Sequence, residues 1–427
     1  MNNFQIIAYN LLQWLIILIC LPFLIPFACI HPKRKQTFFK RLGYQKLPQY
    51  KKPLWVHALS VGEVLSAFPI IEAMRKKWPD KAIVFSASTL SGYEMAQNIR
   101  NQVDDIIYYP YDVIFSVQWM IKKVDPSVFV LVESDIWPNF LTHLYRKKIP
   151  SILLNARLSK ESYRGYHLLR YFMTPALQTF FGICAQSDIQ KKRFENLNMD
   201  PSKIVISGNV KFDQKRHHLS QSEIDSLKSK YGLTQSTPII VAGSTHAGEE
   251  KILINVFFRL FRQYPELKII IAPRNPERAK EIISICLENQ LTALLYSQNK
   301  PFKHILIVDQ MGVLGTLYAL ANIAFVGGSM VAEGGHNPLE PASMAKPVVF
   351  GFDMHDFPEI SKRLVNEEAA IQVKDTDELY RCFQLLLDNK DIANQCGRKG
   401  LKTVEDSQGA VQQSLDFIVN LLGMHEK

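Results

Sequence analysis

Short apolar runs recur along this chain and alternate with longer segments of helical periodicity. Such runs predict buried β-strands, and their alternation with helices predicts parallel sheets covered on both faces. The runs form two series, residues 54–57, 82–87, 106–109, 128–132, 152–155, 182–185 and 204–207, then residues 239–242, 267–272, 293–296, 305–308, 323–326, 348–350 and 370–373. The sequence therefore predicts an α/β protein.

A polar stretch without periodicity, QKRHHLSQS at residues 214–222, separates the two series and is the predicted linker. We expect two doubly wound, Rossmann-like domains at residues 33–213 and 223–427 that face each other across a cleft. Open α/β sheets bind ligands at the carboxyl ends of their strands, so loops at those ends are the candidate sites.

The amino-terminal region combines an apolar segment with a basic one. Residues 4–30 carry no charged side chain and are long enough to cross a bilayer. The net charge is +10, but eight basic residues without an acid follow in residues 33–52, which leaves +2 for the rest and argues against a nucleic-acid-binding protein. These eight are Lys33, Arg34, Lys35, Lys40, Arg41, Lys46, Lys51 and Lys52.

The chain lacks the basic start and the small-residue cleavage site of a signal peptide, so residues 1–32 are predicted to be an uncleaved membrane anchor. The basic flank predicts that the two domains lie in the cytoplasm, against an anionic membrane surface. A helix that lies in the membrane interface and a hairpin buried in a core are the alternatives.

A glycine-rich segment, GGSMVAEGGHNPLEPA at residues 327–342, follows a predicted buried strand and is expected to open a helix. Asn337 fits the N-cap and Pro338 the first helical position. Free backbone N–H groups would favour an anion, and Glu340 could bind sugar hydroxyls, so the segment predicts a nucleotide site. The alternative is an ordinary capped helix start.

Charged side chains stand at predicted strand ends in the first domain. Glu63 follows residues 54–57 and could accept a proton from an alcohol, although Ser60 and Glu63 also match a capping box. Glu133 ends the run at 128–132 and is followed by Asp135, Trp137 and Pro138. Lys211 follows residues 204–207 and could stabilise a phosphate or a developing anion.

Three further loops follow strands of the second domain: GSTHAGEE, which opens a helix at about Glu249, PRNPER with Arg274, and DQMGVL with a tight glycine turn. Together with residues 327–342 they predict a nucleotide site. The six cysteines lack any C-x-x-C spacing, and neither a histidine cluster nor a D-x-D motif is present, so we expect neither a metal nor another cofactor.

Seven motifs follow one another along the chain: HALSVGE, VESDIWPN, NARLS, GNVKFD, GSTHAGEE, PRNPER and GGSMVAEGGHNPLEPA. Together they resemble the family of 3-deoxy-D-manno-octulosonic acid (Kdo) transferases of lipopolysaccharide assembly. The resemblance implies a glycosyltransferase B architecture. It also implies transfer of Kdo from CMP-Kdo to the tetra-acylated lipid A precursor at the cytoplasmic face of the inner membrane.

The resemblance also implies residue roles. Glu63 would be the general base, and Glu133 and Lys211 would stabilise the transition state. The implied CMP contacts are Pro273, Arg274, Met311, Gly312, Val313, Asn337, Pro338, Leu339 and Glu340. The family usually has Glu where this chain has Val313, so only a backbone contact is expected there.

Two other functions are compatible with the same residues. The first is a membrane-associated glycosyltransferase of the same fold with another donor, such as a UDP-sugar. The second is a membrane-bound nucleotide-binding regulator or scaffold without enzymatic activity, which would not depend on Glu63.

Overall fold

The computed structural model describes residues 1–30, 32–47, 49–214 and 219–425. The chain forms two compact units, one of Met1–Gln214 with Ser407–Lys427 and one of Lys215–Asp406. The boundary at 214/215 falls in the predicted linker 214–222, of which residues 215–218 lie outside the described residues.

The first unit contains a parallel sheet of seven strands within the described residues, in the order β3-β2-β1-β4-β5-β6-β7. Its strands are β1 Leu54–Ala58, β2 Ile83–Ala87, β3 Asp105–Tyr108, β4 Val128–Val132, β5 Ser151–Ala156, β6 Gly182–Ala185 and β7 Ile204–Ile206. Its helices begin with α1 Asn3–Ile30, α2 Pro32–Arg41, α3 Val61–Lys77, α4 Leu90–Ala96, α5 Ile114–Val124, α6 Pro138–Arg146, α7 Lys160–Leu168, α8 Arg170–Leu177 and α9 Asp188–Asn196, with 3₁₀ turns at Gln97–Ile99, Pro201–Lys203 and Val210–Asp213.

The second unit contains another parallel seven-stranded sheet in its described part, in the order β10-β11-β9-β8-β12-β13-β14. Its strands are β8 Ile239–Thr245, β9 Lys268–Pro273, β10 Ala293–Leu295, β11 Ile305–Ile307, β12 Ile323–Val326, β13 Val348–Phe350 and β14 Ala370–Gln372. Its helices are α10 Gln221–Lys230, α11 Glu249–Phe261, α12 Ala279–Glu288, α13 Leu314–Tyr318, α14 Leu339–Ala342, α15 Pro358–Asn366, α16 Thr376–Asp388 and α17 Lys390–Glu405, with 3₁₀ turns at Pro276–Arg278 and Tyr296–Gln298.

The central strands are buried along their whole length because apolar clusters cover both faces of each sheet. This explains why they read as continuous runs of Val, Ile, Leu and Phe rather than as alternating patterns. The chain order reverses next to the first strand of each unit, between β1 and β4 and between β8 and β12. Ligand sites of doubly wound sheets lie at such switch points.

The last helix, α18 Ala410–His425, belongs to the first unit, so the predicted second domain at 223–427 extends too far. Apolar side chains of α18, including Ile418, join the core beneath the first sheet. Gly182 in β6 leaves room for this helix, since a Cβ there would stand 2.4 Å from the Phe417 ring.

The amino-terminal helix α1 is long and apolar enough to cross a membrane by its length and composition. Only 6% of the window Asn3–Cys20 is buried, so the alternative of a hairpin buried in a core is wrong.

Candidate functional site

Glu63 lies in the first turn of α3, just after β1, and its side chain is almost completely buried. Its Oε2 accepts a hydrogen bond of 2.6 Å from the backbone N–H of Leu59. The Ser60 side chain makes no cap hydrogen bond, so the capping box that the sequence permitted is not formed. Glu63 thus lies at the carboxyl end of β1, at the switch point of the first sheet.

Glu133 follows β4, the neighbour of β1, and its backbone has a φ of 69°. Positive φ is uncommon for a residue with a side chain and often marks functional sites. The Oε1 atom of Glu133 accepts hydrogen bonds from Ser66 Oγ at 2.8 Å and Asn155 Nδ2 at 3.3 Å. Lys211 Nζ lies 3.9 Å from the same oxygen, so the structure brings the predicted Glu133 and Lys211 together.

The neighbouring backbone holds Lys211 at this position. Asn209 Oδ1 accepts the N–H of Lys211 at 3.0 Å, and Asn155 Oδ1 accepts the N–H of Val210 at 3.2 Å. Because Asn155 also donates to Glu133, one side chain links the ends of β4, β5 and β7. The Lys211 side chain is largely buried, unlike most surface lysines.

The pKa of Glu63 is raised to about 8, mainly because burial disfavours the carboxylate. The negative charges of Glu133 and Asp135 raise this pKa further, while the Leu59 N–H and Lys211 lower it. A carboxyl group whose pKa lies near neutral pH can both accept and release a proton during turnover. Such a shift, in a group held by charged neighbours, is typical of functional sites.

A second buried network lies next to Glu133 and joins the predicted Asp135 and Trp137 to His57, which sequence reasoning missed. His57 Nε2 lies 2.9 Å from Asp135 Oδ2, and the indole N–H of Trp137 donates to Asp135 Oδ1 at 2.6 Å. Burial raises the pKa of Asp135, but hydrogen bonds from His57, Trp137 and Ser88 outweigh it and leave that pKa below its ordinary value. The network holds the half-exposed Trp137 at the strand end. The position of His57 at the end of a strand was the available signal.

In the second unit, the predicted donor-binding residues follow neighbouring strands. Arg274 is exposed directly after β9, whose last residue is the buried Pro273. Met311, Gly312 and Val313 lie between β11 and α13. Gly312 has a φ of 84°, which favours glycine, and the Met311 side chain is 65% exposed. The carboxyl edge of this sheet therefore gathers these residues as predicted.

The glycine-rich loop after β12 differs from the prediction, because its N–H groups already bind an anion from the same chain. The buried carboxylate of Glu249 accepts the N–H of Gly328 at 2.7 Å, of Ser329 at 2.9 Å and of Met330 at 2.8 Å. It also accepts the N–H of His246 at 2.9 Å. The N–H groups of residues 328–330 are therefore taken by Glu249, whereas the predicted nucleotide contacts, Asn337 to Glu340, lie later in the loop.

The Oδ1 of Asn337 accepts the N–H of Leu339 at 3.1 Å, but the N-cap of the helix is Pro338 rather than the predicted Asn337. The helix α14 begins at Leu339 rather than at Pro338 and has only four residues. Helix dipoles grow from aligned peptide units, so α14 offers little field to an anion. Glu340 lies near the buried Tyr318, whose pKa is raised by burial and then by this carboxylate.

A histidine pair lies at the same sheet edge and was also missed. His246 Nε2 and His336 Nε2 are 2.9 Å apart, so one proton can be shared between them. The pKa of His336 falls to about 4 because of burial and the positive charges of Arg274 and His246. The positive charge of Arg274 therefore affects the loop that carries Asn337 by lowering the pKa of His336. Among the described residues, no group of three or more His, Cys, Asp or Glu side chains could hold a metal ion.

Solved structures with the same architecture define the class of the fold. The chain matches a UDP-N-acetylglucosamine 2-epimerase from Listeria monocytogenes with a TM-score of 0.60 and 12% identity over 88% of this chain and 98% of the other. A glycosyltransferase from Rickettsia africae matches with a TM-score of 0.57 and 14% identity over 87% and 99% of the two chains. The chain therefore has the glycosyltransferase B fold.

Sequence relatives define the family. Residues 36–214 match the family described as 3-Deoxy-D-manno-octulosonic-acid transferase (kdotransferase). A 3-deoxy-D-manno-octulosonic acid transferase of Haemophilus influenzae is 32% identical over 94% of this chain and 96% of its own length, and one of Rickettsia felis is 31% identical over 86% and 79%. The chain belongs to this family of glycosyltransferases, which confirms the resemblance inferred from the motifs.

Proposed function

We propose that the chain transfers Kdo from CMP-Kdo to the tetra-acylated lipid A precursor at the cytoplasmic face of the inner membrane. Family membership supports the reaction class. The observation that carries the catalytic assignment is the Glu63 carboxyl group, which is buried at a strand end beside Glu133 and Lys211 and has a pKa of about 8.

Glu63 acts as the general base. Its carboxylate takes the proton of the acceptor hydroxyl as the hydroxyl oxygen forms a bond to the anomeric carbon of Kdo. The bond from that carbon to the phosphate oxygen breaks, and CMP leaves with the electron pair. Because attack and departure occur on opposite faces, the configuration inverts and a single carboxylate suffices. The phosphate is a stable leaving group and needs no acid.

Glu133 and Lys211 stabilise the charges that change during this displacement. The two side chains form one ion pair, and hydrogen bonds from Ser66 and Asn155 orient its carboxylate. Charges that are already oriented need no reorganisation at the transition state, which is the main source of electrostatic catalysis. Moderate rather than complete burial leaves Lys211 able to contact an anionic substrate.

Donor binding is assigned to Pro273, Arg274, residues 311–313 and residues 337–340. Since Glu249 occupies the N–H groups of residues 328–330, the positive charge for CMP comes from Arg274 rather than from that loop. Val313 packs against the apolar cluster around Leu317, so only its backbone is available to the nucleotide. This agrees with replacement of the usual glutamate at that position.

The test is to incubate the purified full chain with CMP-Kdo and the lipid precursor and to weigh the products by mass spectrometry. A mass increase of one or more Kdo residues supports the proposal and also counts the transfers. Competition between CMP and UDP for binding tests the donor. Preference for UDP would favour another sugar donor, and nucleotide binding without any product would favour a non-enzymatic role.

A further inference from the structure

The polar side chains of α1 bind the globular part of the first unit. The Tyr9 hydroxyl donates to Asp112 Oδ2 at 3.0 Å, and Gln13 Nε2 donates to the backbone carbonyl of Asp112 at 3.1 Å. The Asp112 carboxylate also accepts the N–H groups of Asn139 at 3.0 Å and Phe140 at 2.8 Å, so it is fixed at the start of α6. This part of α1 is therefore docked on the unit.

Two more residues of α1 contact the unit, and one of them, Gln5, extends the docked stretch toward the amino terminus. Asn10 and Asn139 exchange side-chain hydrogen bonds of 2.9 and 3.0 Å. Gln5 Nε2 donates to the carbonyl of Tyr171 in α8 at 3.2 Å. Residues 5, 9, 10 and 13 lie on one face of the helix because they are spaced by about one turn or two. The polar face of α1 thus binds protein, and its apolar face is left outside.

The chain returns to the same place after the apolar segment. At the end of α2, Arg41 Nε donates to the carbonyl of Tyr109 at 3.0 Å, and the Arg41 carbonyl accepts the N–H of Tyr111 at 3.0 Å. Tyr111 directly precedes Asp112, the residue that holds Tyr9 and Gln13. Both ends of the segment between Gln13 and Arg41 are consequently attached to neighbouring residues of one unit.

A membrane-crossing α1 would conflict with these contacts. A crossing takes about 20 residues of helix, and only residues 14–30 of α1 follow the docked stretch. If Asn3 stood on the far side, Gln5, Tyr9, Asn10 and Gln13 would leave their partners for hydrocarbon, where polar groups are costly. The docked arrangement avoids that cost and keeps both ends on one side.

A second exposed apolar surface lies beside the docked helix. None of the residues of α7 is buried, and the turn into α8 exposes Leu168 by 83% and Leu169 and Tyr171 by 50% each. Arg164 and Arg170 are exposed on either side of Leu168. Bulky apolar side chains between basic ones are typical of segments that enter the interface of an anionic membrane.

This surface is connected to α1 and to the catalytic residues. Tyr171 carries the carbonyl that Gln5 binds, and Phe172 packs against Tyr9 with ring centroids 5.7 Å apart. Two residues before Leu168, the Tyr166 hydroxyl donates to the carbonyl of Ser134 at 3.3 Å, next to Glu133. The exposed Leu168 region is therefore joined to the strand end that carries Glu133 through one hydrogen bond of α7.

We propose that the chain binds a single leaflet as a monotopic protein, with α1 docked along the first unit and its apolar face in the same lipid layer as the Leu168–Leu169–Tyr171 tip. The amino terminus then lies on the same side of the membrane as both α/β units. This rests on the membrane association in the proposed function, but topology and lipid contact are measured without donor or acceptor, so they fail independently of transfer activity.

The topology is tested by cysteine labelling of the full chain in spheroplasts. Asn2→Cys is compared with Lys300→Cys, an exposed position of the second unit, and the unsubstituted chain gives the background. We expect a membrane-impermeant maleimide to leave both variants unlabelled in intact spheroplasts, relative to denatured samples. Labelling of Asn2→Cys but not of Lys300→Cys in intact spheroplasts would overturn the proposal.

Lipid contact of the tip is tested with a fluorophore on Leu168→Cys and, as the matched control, on Leu385→Cys in α16, which is 43% exposed. The full chain is bound to phosphatidylethanolamine vesicles containing phosphatidylglycerol and a quencher on the acyl chains. We expect strong quenching at position 168 and little at 385. Quenching at position 168 as weak as that at position 385 would show that the tip is outside the bilayer.

Discussion

Glu63 and Glu249 occupy equivalent places in the two units, yet their surroundings differ. Each lies in the first turn of the helix that follows the first strand of its sheet, at the switch point, and each side chain is buried. Glu249 accepts four backbone N–H groups, whereas Glu63 accepts one from the described part of the chain. Burial raises both pKa values, and in Glu249 these N–H groups oppose the shift.

The difference shows that position in the fold does not decide what a buried carboxylate does. Hydrogen bonds to the charged form stabilise it, so Glu249 serves as a fixed internal anion that organises the loop after β12. Glu63 has few such bonds and two acidic neighbours, Glu133 and Asp135. Its carboxylate form is therefore poorly stabilised and binds a proton readily. The number of donors around the carboxylate separates a structural glutamate from a reactive one.

The largest expected effect is the loss of Kdo transfer in the variant Glu63→Gln. Loss of a general base lowers turnover by roughly 10²- to 10⁴-fold, while CMP binding, assigned to the second unit, should persist. Turnover is measured by mass spectrometry and CMP affinity by calorimetry on the same preparation. Turnover close to that of the unsubstituted chain would mean that Glu63 only binds the Leu59 N–H.

Glu249→Ala should instead act on stability. It leaves the N–H groups of Gly328, Ser329 and Met330 without their acceptor, and each buried unsatisfied group costs roughly 1–3 kcal/mol, although the costs do not simply add. Hydrogen exchange should accelerate at residues 328–330 and the urea midpoint of the second unit should fall. Glu333→Ala, at an exposed position of the same loop, is the control. Unchanged exchange in Glu249→Ala would contradict the internal-anion role.

A smaller effect is expected on the pH dependence of activity, which also distinguishes Glu63 from Glu249. Because Glu63 must be ionised, kcat/KM should rise with pH up to about 8 and then level off. Glu133→Gln removes a charge that raises this pKa, so the residual activity should have its midpoint at lower pH. Stability has the opposite sign: the raised pKa favours folding below about 4.5, and this contribution is lost as pH rises through about 8. The stability of the unsubstituted chain relative to Glu63→Gln should therefore fall progressively as pH rises from about 4.5 to about 8, and the difference should stay constant above pH 8.

The smallest expected effect is that of chelation. Transfer in this proposal uses Arg274, Lys211 and fixed dipoles rather than a metal ion. Exhaustive EDTA treatment should leave the rate unchanged, as measured in the same mass-spectrometric assay. A loss that added Mg²⁺ restores would contradict metal-independent turnover.

Sequence patterns predicted most of the fold because buried parallel strands have a strong local signature. All fourteen predicted runs are strands in the described residues, and the main shifts are at ends, such as β8, which continues to Thr245. The patterns also located Glu63, Glu133 and Lys211, since each follows a strand. They did not reveal the partner of the glycine-rich loop, because Glu249 is 79 residues away from Gly328 along the chain. Hydrogen-bond partners of loop N–H groups depend on tertiary structure rather than on local periodicity.

The placement of α18 on the first sheet affects how the chain is made. Phe417 fills the space over Gly182, and Asp213 accepts the N–H groups of Gly409 and Val411, both at 2.6 Å. Helix α18 leaves the ribosome after the second unit, although the sheet that it covers is synthesised before that unit. The first unit must therefore wait, with β5 and β6 incompletely covered, until the whole second unit has been translated. A chain that stops near residue 407 would consequently lack a helix of the first unit while its second unit is complete, so we expect the truncation to destabilise the unit that was made first.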